Sequence, residues 1–101
     1  MRLNMQYTPE SMTVYLDGEI DHHSAKRLRG EIDEMLERRR PGSLTLDFGG
    51  VTFMDSSGVG LIMGRYRKLQ PWNGLLEVCG ASPSVHKVMK LSGLERIAKI
   101  N

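Results

Sequence analysis

At 101 residues the chain has material for one compact core and too little for two cores and a linker, so a single domain over residues 1–101 is expected. A hydrophobic share of 40% and a charged share of 26% are those of a globular protein and exclude a disordered or low-complexity chain. Fourteen Lys and Arg against 12 Asp and Glu leave a net charge of +2, a poor footing for nucleic-acid binding, and the aromatics are not interleaved with basic residues as a base-stacking platform requires.

Leu3, Met5 and Tyr7 alternate with polar residues, as do Met12, Val14 and Leu16, and Thr8-Pro9-Glu10-Ser11 separates the two runs. Period two on either side of a turn-rich tetrad predicts a hairpin. After Asp17-Gly18-Glu19-Ile20-Asp21 the period changes. Ala25, Leu28, Ile32, Met35 and Leu36 share one face of a predicted helix, with Ser24 or a neighbour as its cap and Pro41-Gly42 as its stop. Arg38, Arg39 and Arg40 then fall in the last turn, where positive charge suits the helix dipole.

Leu44, Leu46 and Phe48 alternate with Thr45 and Asp47 in a strand that Gly49-Gly50 is expected to break. Val51 and Phe53 lead into Met54-Asp55-Ser56-Ser57. From Ser57, helical spacing returns at Val59, Ile62, Met63, Tyr66 and Leu69, with Pro71 as a stop. Residues 75–79 form a near-continuous apolar run that predicts a central strand covered on both faces. Ser82-Pro83 reads as a cap followed by proline at the first helical position, Val85, Val88 and Met89 as the buried stripe, and Ser92-Gly93 as the end. A short last strand is expected within 97–100. The order β-β-α-β-α-β-α-β predicts an α/β fold: a small mixed sheet with a parallel core, an antiparallel edge hairpin and helices packed against it.

Cys79 is the one cysteine, so it has no internal disulfide partner, and its apolar neighbours predict a structural thiol. With no signal peptide and no apolar run near the ~20 residues of a membrane span, a cytoplasmic location is expected. The methionines fall mainly on faces expected to be buried.

"FMDSSGVG", residues 53–60, is the stretch that carries chemistry. A phosphate-binding P-loop requires lysine after its second glycine; Leu61 follows Gly60. A nucleophile elbow would also place a serine between strand and helix, but the flanking residue types differ and no spacing brings His22, His23 or His86 to Ser56. A metal site from Asp17, Asp21, His22 and His23 has no recognised ligand spacing. The structural reading makes Ser56 a helix cap, with Gly58, Gly60 and Gly64 admitting the helix close to the sheet. An acid and two hydroxyls at a helix start also form an exposed, electropositive corner suited to a regulated phosphoryl group.

"FMDSSGVGLIMGRY" (53–66) resembles the phosphorylation segment of STAS-domain anti-sigma factor antagonists, and "GEIDHHSA" (18–25) resembles the loop beside it. "VCGASPSVHKVMKLSGL" (78–94) is similar to the strand and helix that follow. The resemblance spans nearly the whole chain. The double histidine with Gly64-Arg65-Tyr66 is most similar to the sporulation sigma-F branch, while Val59 stands where leucine is usual.

This resemblance implies a STAS fold and a non-enzymatic partner switch without cofactor or metal. The unmodified protein would bind an anti-sigma factor that is an ATP/ADP-bound serine kinase and so free the sigma factor. Phosphorylation at Ser56 would end that binding, and a serine phosphatase would reverse it. Asp21, His22, Asp55, Ser56, Ser57 and Gly58 would form the contact surface of a chain that is monomeric when free, with no nucleic-acid or membrane partner. A STAS regulator of a general stress pathway or stressosome is the alternative, and a small serine hydrolase a more distant one.

Overall fold

The computed structural model describes residues 3–101. Five strands form one sheet in the order β1-β2-β3-β4-β5. β1 (Asn4–Tyr7) and β2 (Ser11–Ile20) make the expected antiparallel hairpin, and β3 (Ser43–Met54), β4 (Leu75–Cys79) and β5 (Lys99–Ile100) add in parallel. Three helices make the crossovers: α1 (His22–Arg39), α2 (Ser56–Leu69) and α3 (Pro83–Leu91).

Successive right-handed crossovers that always step to the next strand leave every helix on the same side of a sheet. The burial pattern agrees. Met12, Val14 and Leu16 of β2, Leu44, Leu46 and Phe48 of β3, and Leu76 and Val78 of β4 are buried on one face. They join Leu28, Ile32 and Leu36 of α1, Leu61, Ile62 and Leu69 of α2, and Val85 and Met89 of α3 in a single core. The shortest dimension, 19 Å, is that of one helix layer on one sheet. Thr13, Tyr15, Thr45, Asp47, Glu77 and Cys79 point the other way and stay partly or fully exposed.

That one-sided cover corrects the expectation for residues 75–79. β4 lies inside the sheet, between β3 and β5, but is covered on one face, and Leu75 is 72% exposed. Glu77 interrupts the run, and Leu75, Glu77 and Cys79 face outward while Leu76 and Val78 are buried; apolar residues at both ends of the outward set hide that period of two. Cys79 is half-buried with its thiol pKa pushed up by burial first, then by the Asp47 carboxylate, which keeps it in the unreactive thiol form.

Gly49-Gly50 does not break β3. The strand runs through them to Met54, because two register shifts against β2, between Tyr15 and Asp17 and between Gly18 and Glu19, absorb extra residues on β3. Beyond Asp47, where its pairing with β4 ends, β3 continues beside β2 alone. The pair projects as a two-stranded ribbon ending at Ile20 and Met54.

α1 closes as its sequence requires. Arg40 takes the left-handed conformation (φ 43°) and donates its N–H to the Leu36 carbonyl before Pro41. Arg38 and Arg39 occupy the last turn, while Arg40 lies one residue past it. Arg38 pairs with Glu34, the Arg39 guanidinium lies 3.8 Å from the Tyr7 ring centroid, and that of Arg40 5.7 Å from Trp72.

Candidate functional site

Because β2 and β3 are parallel neighbours that end level, the helices that follow them begin side by side. Asp55 N–H donates to the Ile20 carbonyl at 3.2 Å and ties the two helix starts together. α1 is capped by Asp21, not Ser24. The Asp21 carboxylate accepts from Ser24 N–H, and Asp21 N–H donates back to Ser24 Oγ, both at 2.9 Å, a reciprocal capping box. Ser24 serves as the third residue of that box and donates its hydroxyl to the Glu19 carbonyl. Its N–H holds the Asp21 carboxyl below the usual carboxylate range, helped by the Ser24 hydroxyl and by His23. The box is therefore complete above the ordinary carboxylate pKa and is lost only as pH falls through that lowered value.

α2 is capped by Asp55, here without the reciprocal half of a box, which corrects the expectation that Ser56 is the cap. Asp55 Oδ1 accepts from Ser57 N–H at 2.8 Å, and the Asp55 carbonyl accepts from Gly58 N–H at 3.0 Å. Either residue type can cap, but the extended backbone falls at Asp55 (φ −100°, ψ −168°), so the carboxylate takes the role. Ser56 is displaced to the first helical position. It is exposed, and its hydroxyl makes no hydrogen bond among the described residues.

Gly58 is required here for space. A Cβ at this position would overlap Met54 Cγ and Sδ and sit 3.4 Å from Ile20 Cγ2, and Met54 is itself buried in the core. Gly58→Ala is expected to destabilise the fold by about 1–2 kcal/mol, because overpacking outweighs the better helix propensity of alanine; urea unfolding measures it. The expectation that Gly60 and Gly64 also admit the helix to the sheet is corrected, since a Cβ at either would meet nothing within 4 Å.

Asp21, His22, Asp55, Ser56, Ser57 and Gly58 thus share the corner at the ribbon tip, and His22 and Ser57 line one cleft there. His86 lies apart on α3. Neither serine hydroxyl is hydrogen-bonded to a histidine among the described residues, so the corner holds no assembled nucleophile and base. No group of three or more His, Cys, Asp or Glu side chains is placed to hold a metal ion among the described residues, and no described helix is long and apolar enough to cross a membrane.

Phe53 is the residue that sequence reasoning placed without noticing. It is 49% exposed, because Glu19 pairs with Phe53 immediately after Gly18 pairs with Val51. The extra residue, Thr52, shifts the alternation and turns the ring outward, three residues before Ser56. The apolar step Val51-Thr52-Phe53-Met54 carries a signal of this, since strict alternation cannot bury both Phe53 and Met54.

Comparison with known proteins matches this arrangement to a family. The STAS domain pattern covers residues 2–101. The chain is similar to the anti-sigma F factor antagonist of Paenibacillus polymyxa, with 36% identity over 100 residues, 99% of this chain and 86% of that protein. Its structure is similar to that of the anti-sigma factor antagonist SpoIIAA in its unphosphorylated form, with a TM-score of 0.86 and 33% identity over 99% of this chain and 88% of that one. It is also similar to the Bacillus cell fate determinant SpoIIAA in the phosphorylated form, with a TM-score of 0.76 and 32% identity over 99% and 91% of the two chains. The chain belongs to the STAS-domain family of anti-sigma factor antagonists.

Proposed function

We propose that this chain is an anti-sigma factor antagonist that works by partner switching as a single domain over residues 1–101. With Ser56 unmodified it binds an ATP- or ADP-loaded anti-sigma factor that is also a serine kinase, and thereby frees a sporulation-type sigma factor, sigma-F. Phosphorylation of Ser56 ends the binding, and a serine phosphatase restores it. The carrying observation is the state of Ser56: an exposed hydroxyl at the first position of α2, excluded from capping by Asp55, in a chain whose structural relative is known both with and without phosphate.

The chemistry follows from that placement. A hydroxyl that holds no internal hydrogen bond can enter a kinase site without a cost to the fold. The product phosphate, carrying about −1.5 to −2 charges, rests at the positive end of the α2 dipole. The domain keeps its structure and changes only what it presents.

Incubation with the cognate anti-sigma factor and ATP, followed by intact-mass measurement and peptide mapping, tests this reading. One phosphate is expected, on Ser56. Ser56→Ala is expected to take up none and to stay bound to its partner when nucleotide is present. A phosphate on Ser57 instead, or no transfer to a partner that binds, would sink the assignment.

A further inference from the structure

The seam between α1 and α2 carries cross-helix ion pairs that run out at the Ser56 end. Glu37 of α1 pairs with Lys68 of α2, and one turn nearer the site Asp33 of α1 holds Arg65 of α2 at 2.9 Å. At both levels α1 supplies the acid and α2 the base. One turn further the sign on α1 reverses. His22, Lys26 and Arg29 line a cleft of about 250 Å³ whose other wall includes Ser57, Gly60 and Leu61, and that wall offers no acid.

Lys26 and Arg29 take part in no ion pair among the described residues. The carboxylates at the two helix starts are already engaged, Asp21 with Ser24 N–H and Asp55 with Ser57 N–H. Arg65, whose pKa burial lowers most, is lowered further by the charge of Arg29, so like charges crowd this end of the seam. Two choices here run against the stability of the free chain. Lys26 and Arg29 stand at i,i+3 spacing, where like charges repel. Gly60 lies inside α2, where alanine would favour the helix, yet a Cβ there would meet nothing within 4 Å. Local choices of this kind, gathered in one place without an internal reason, mark a surface kept for something outside the chain.

We infer that the cleft between the first halves of α1 and α2 receives an acidic, Asp- or Glu-bearing segment of the anti-sigma factor, with Lys26 and Arg29 as its counter-charges and Gly60 admitting the partner's backbone. The inference rests on the partner-switching reading above and extends its interface from the Ser56 corner down the helix seam. Charge complementarity selects the occupant: two cations without an ion pair among the described residues, opposite a wall of Ser57, Gly60 and Leu61, fit a peptide segment that brings both carboxylates and backbone. The cleft also adds to the effect of modification. A phosphate on Ser56 would place negative charge beside Ser57 at its mouth and repel the incoming segment.

The test measures affinity of the full chain for the ADP-loaded anti-sigma factor, by calorimetry at about 50 mM and about 500 mM salt. K26E/R29E is expected to bind about 30- to 100-fold more weakly at low salt, and K26Q/R29Q about tenfold more weakly with a flatter salt dependence. Both variants change exposed positions and should melt within about 4 °C of the parent, which separates lost docking from lost folding. Parent-like affinity and salt dependence in K26E/R29E, alongside lost binding in S56D, overturns the cleft assignment and leaves the proposed function standing. Lost binding in K26E/R29E with parent-like binding in S56D keeps the cleft and removes the serine switch. A parent that does not bind the anti-sigma factor removes both.

Discussion

Ser56→Asp is expected to bind the nucleotide-loaded anti-sigma factor about 100-fold more weakly than the parent, and the Ser56 phosphoprotein about 100- to 4,000-fold more weakly. The magnitude comes from desolvation. The unmodified corner presents a neutral hydroxyl on a helix start. A partner surface fitted to that hydroxyl has no counter-charge in place for a carboxylate or phosphate. Burying such a charge without a partner costs about 3–5 kcal/mol, and each 1.4 kcal/mol is a factor of ten in affinity. Aspartate carries less charge than phosphate and reaches less far, so it sits at the lower end. The fold should be indifferent to either change, because Asp55 rather than Ser56 makes the cap. Titration calorimetry gives the affinities and a thermal melt gives the control. Parent-like binding by the phosphoprotein would remove the switch, whereas a large fall in melting temperature would make it a folding switch rather than a docking one.

The second large effect concerns the fold. Asp33→Ala is expected to destabilise the protein by about 2–4 kcal/mol, seen as a fall in Tm of about 10–20 °C. Arg65 is 4% exposed, and its Nε lies 2.9 Å from Asp33 Oδ1 and its Nη2 3.3 Å from Oδ2. The Nε contact is close without good hydrogen-bond direction, and Arg65 Nη1 is buried without an acceptor among the described residues. The guanidinium therefore relies on Asp33 for its counter-charge. Asp33 itself is 24% exposed, which admits some water and places the estimate below the full cost of orphaning a buried ion. Replacing the pair by Asp33→Leu with Arg65→Met should recover most of the loss, since an apolar pair leaves no charge behind. A single Asp33→Ala variant within about 0.5 kcal/mol of the parent would show that water already supports Arg65.

The order of elements was legible because each strand and helix carries its own period, and the parallel sheet followed from their alternation. What the sequence hid was set by contacts between elements. Gly49-Gly50 reads as a break in isolation, yet the neighbouring β2 accommodates the extra residues as bulges. Residues 75–79 read as doubly covered because the side on which α1, α2 and α3 pack is a property of the whole topology. At the site, the sequence singled out Asp55-Ser56-Ser57 and the loop containing Asp21 and His22, and the level ends of β2 and β3 bring them together. Ser and Asp are both good caps, so only the backbone could assign the cap to Asp55. Lys26 and Arg29 carried no local signal at all. Their place is defined only by the packing of α1 against α2, where the ion pairs between the two helices stop short of them.

The separation of cap from modified residue also bears on timing and dose. In the proposed switch Ser56 holds no hydrogen bond among the described residues that would have to break on modification, so the domain would add no slow refolding step of its own. The output of such a switch would be the unmodified fraction multiplied by its concentration, with a Hill coefficient of about 1 for this element alone. On the proposed switch, any sharp threshold would arise elsewhere, from the ratio of this chain to its kinase or from the opposed action of the kinase on the Ser56 hydroxyl and the phosphatase on its phosphoester.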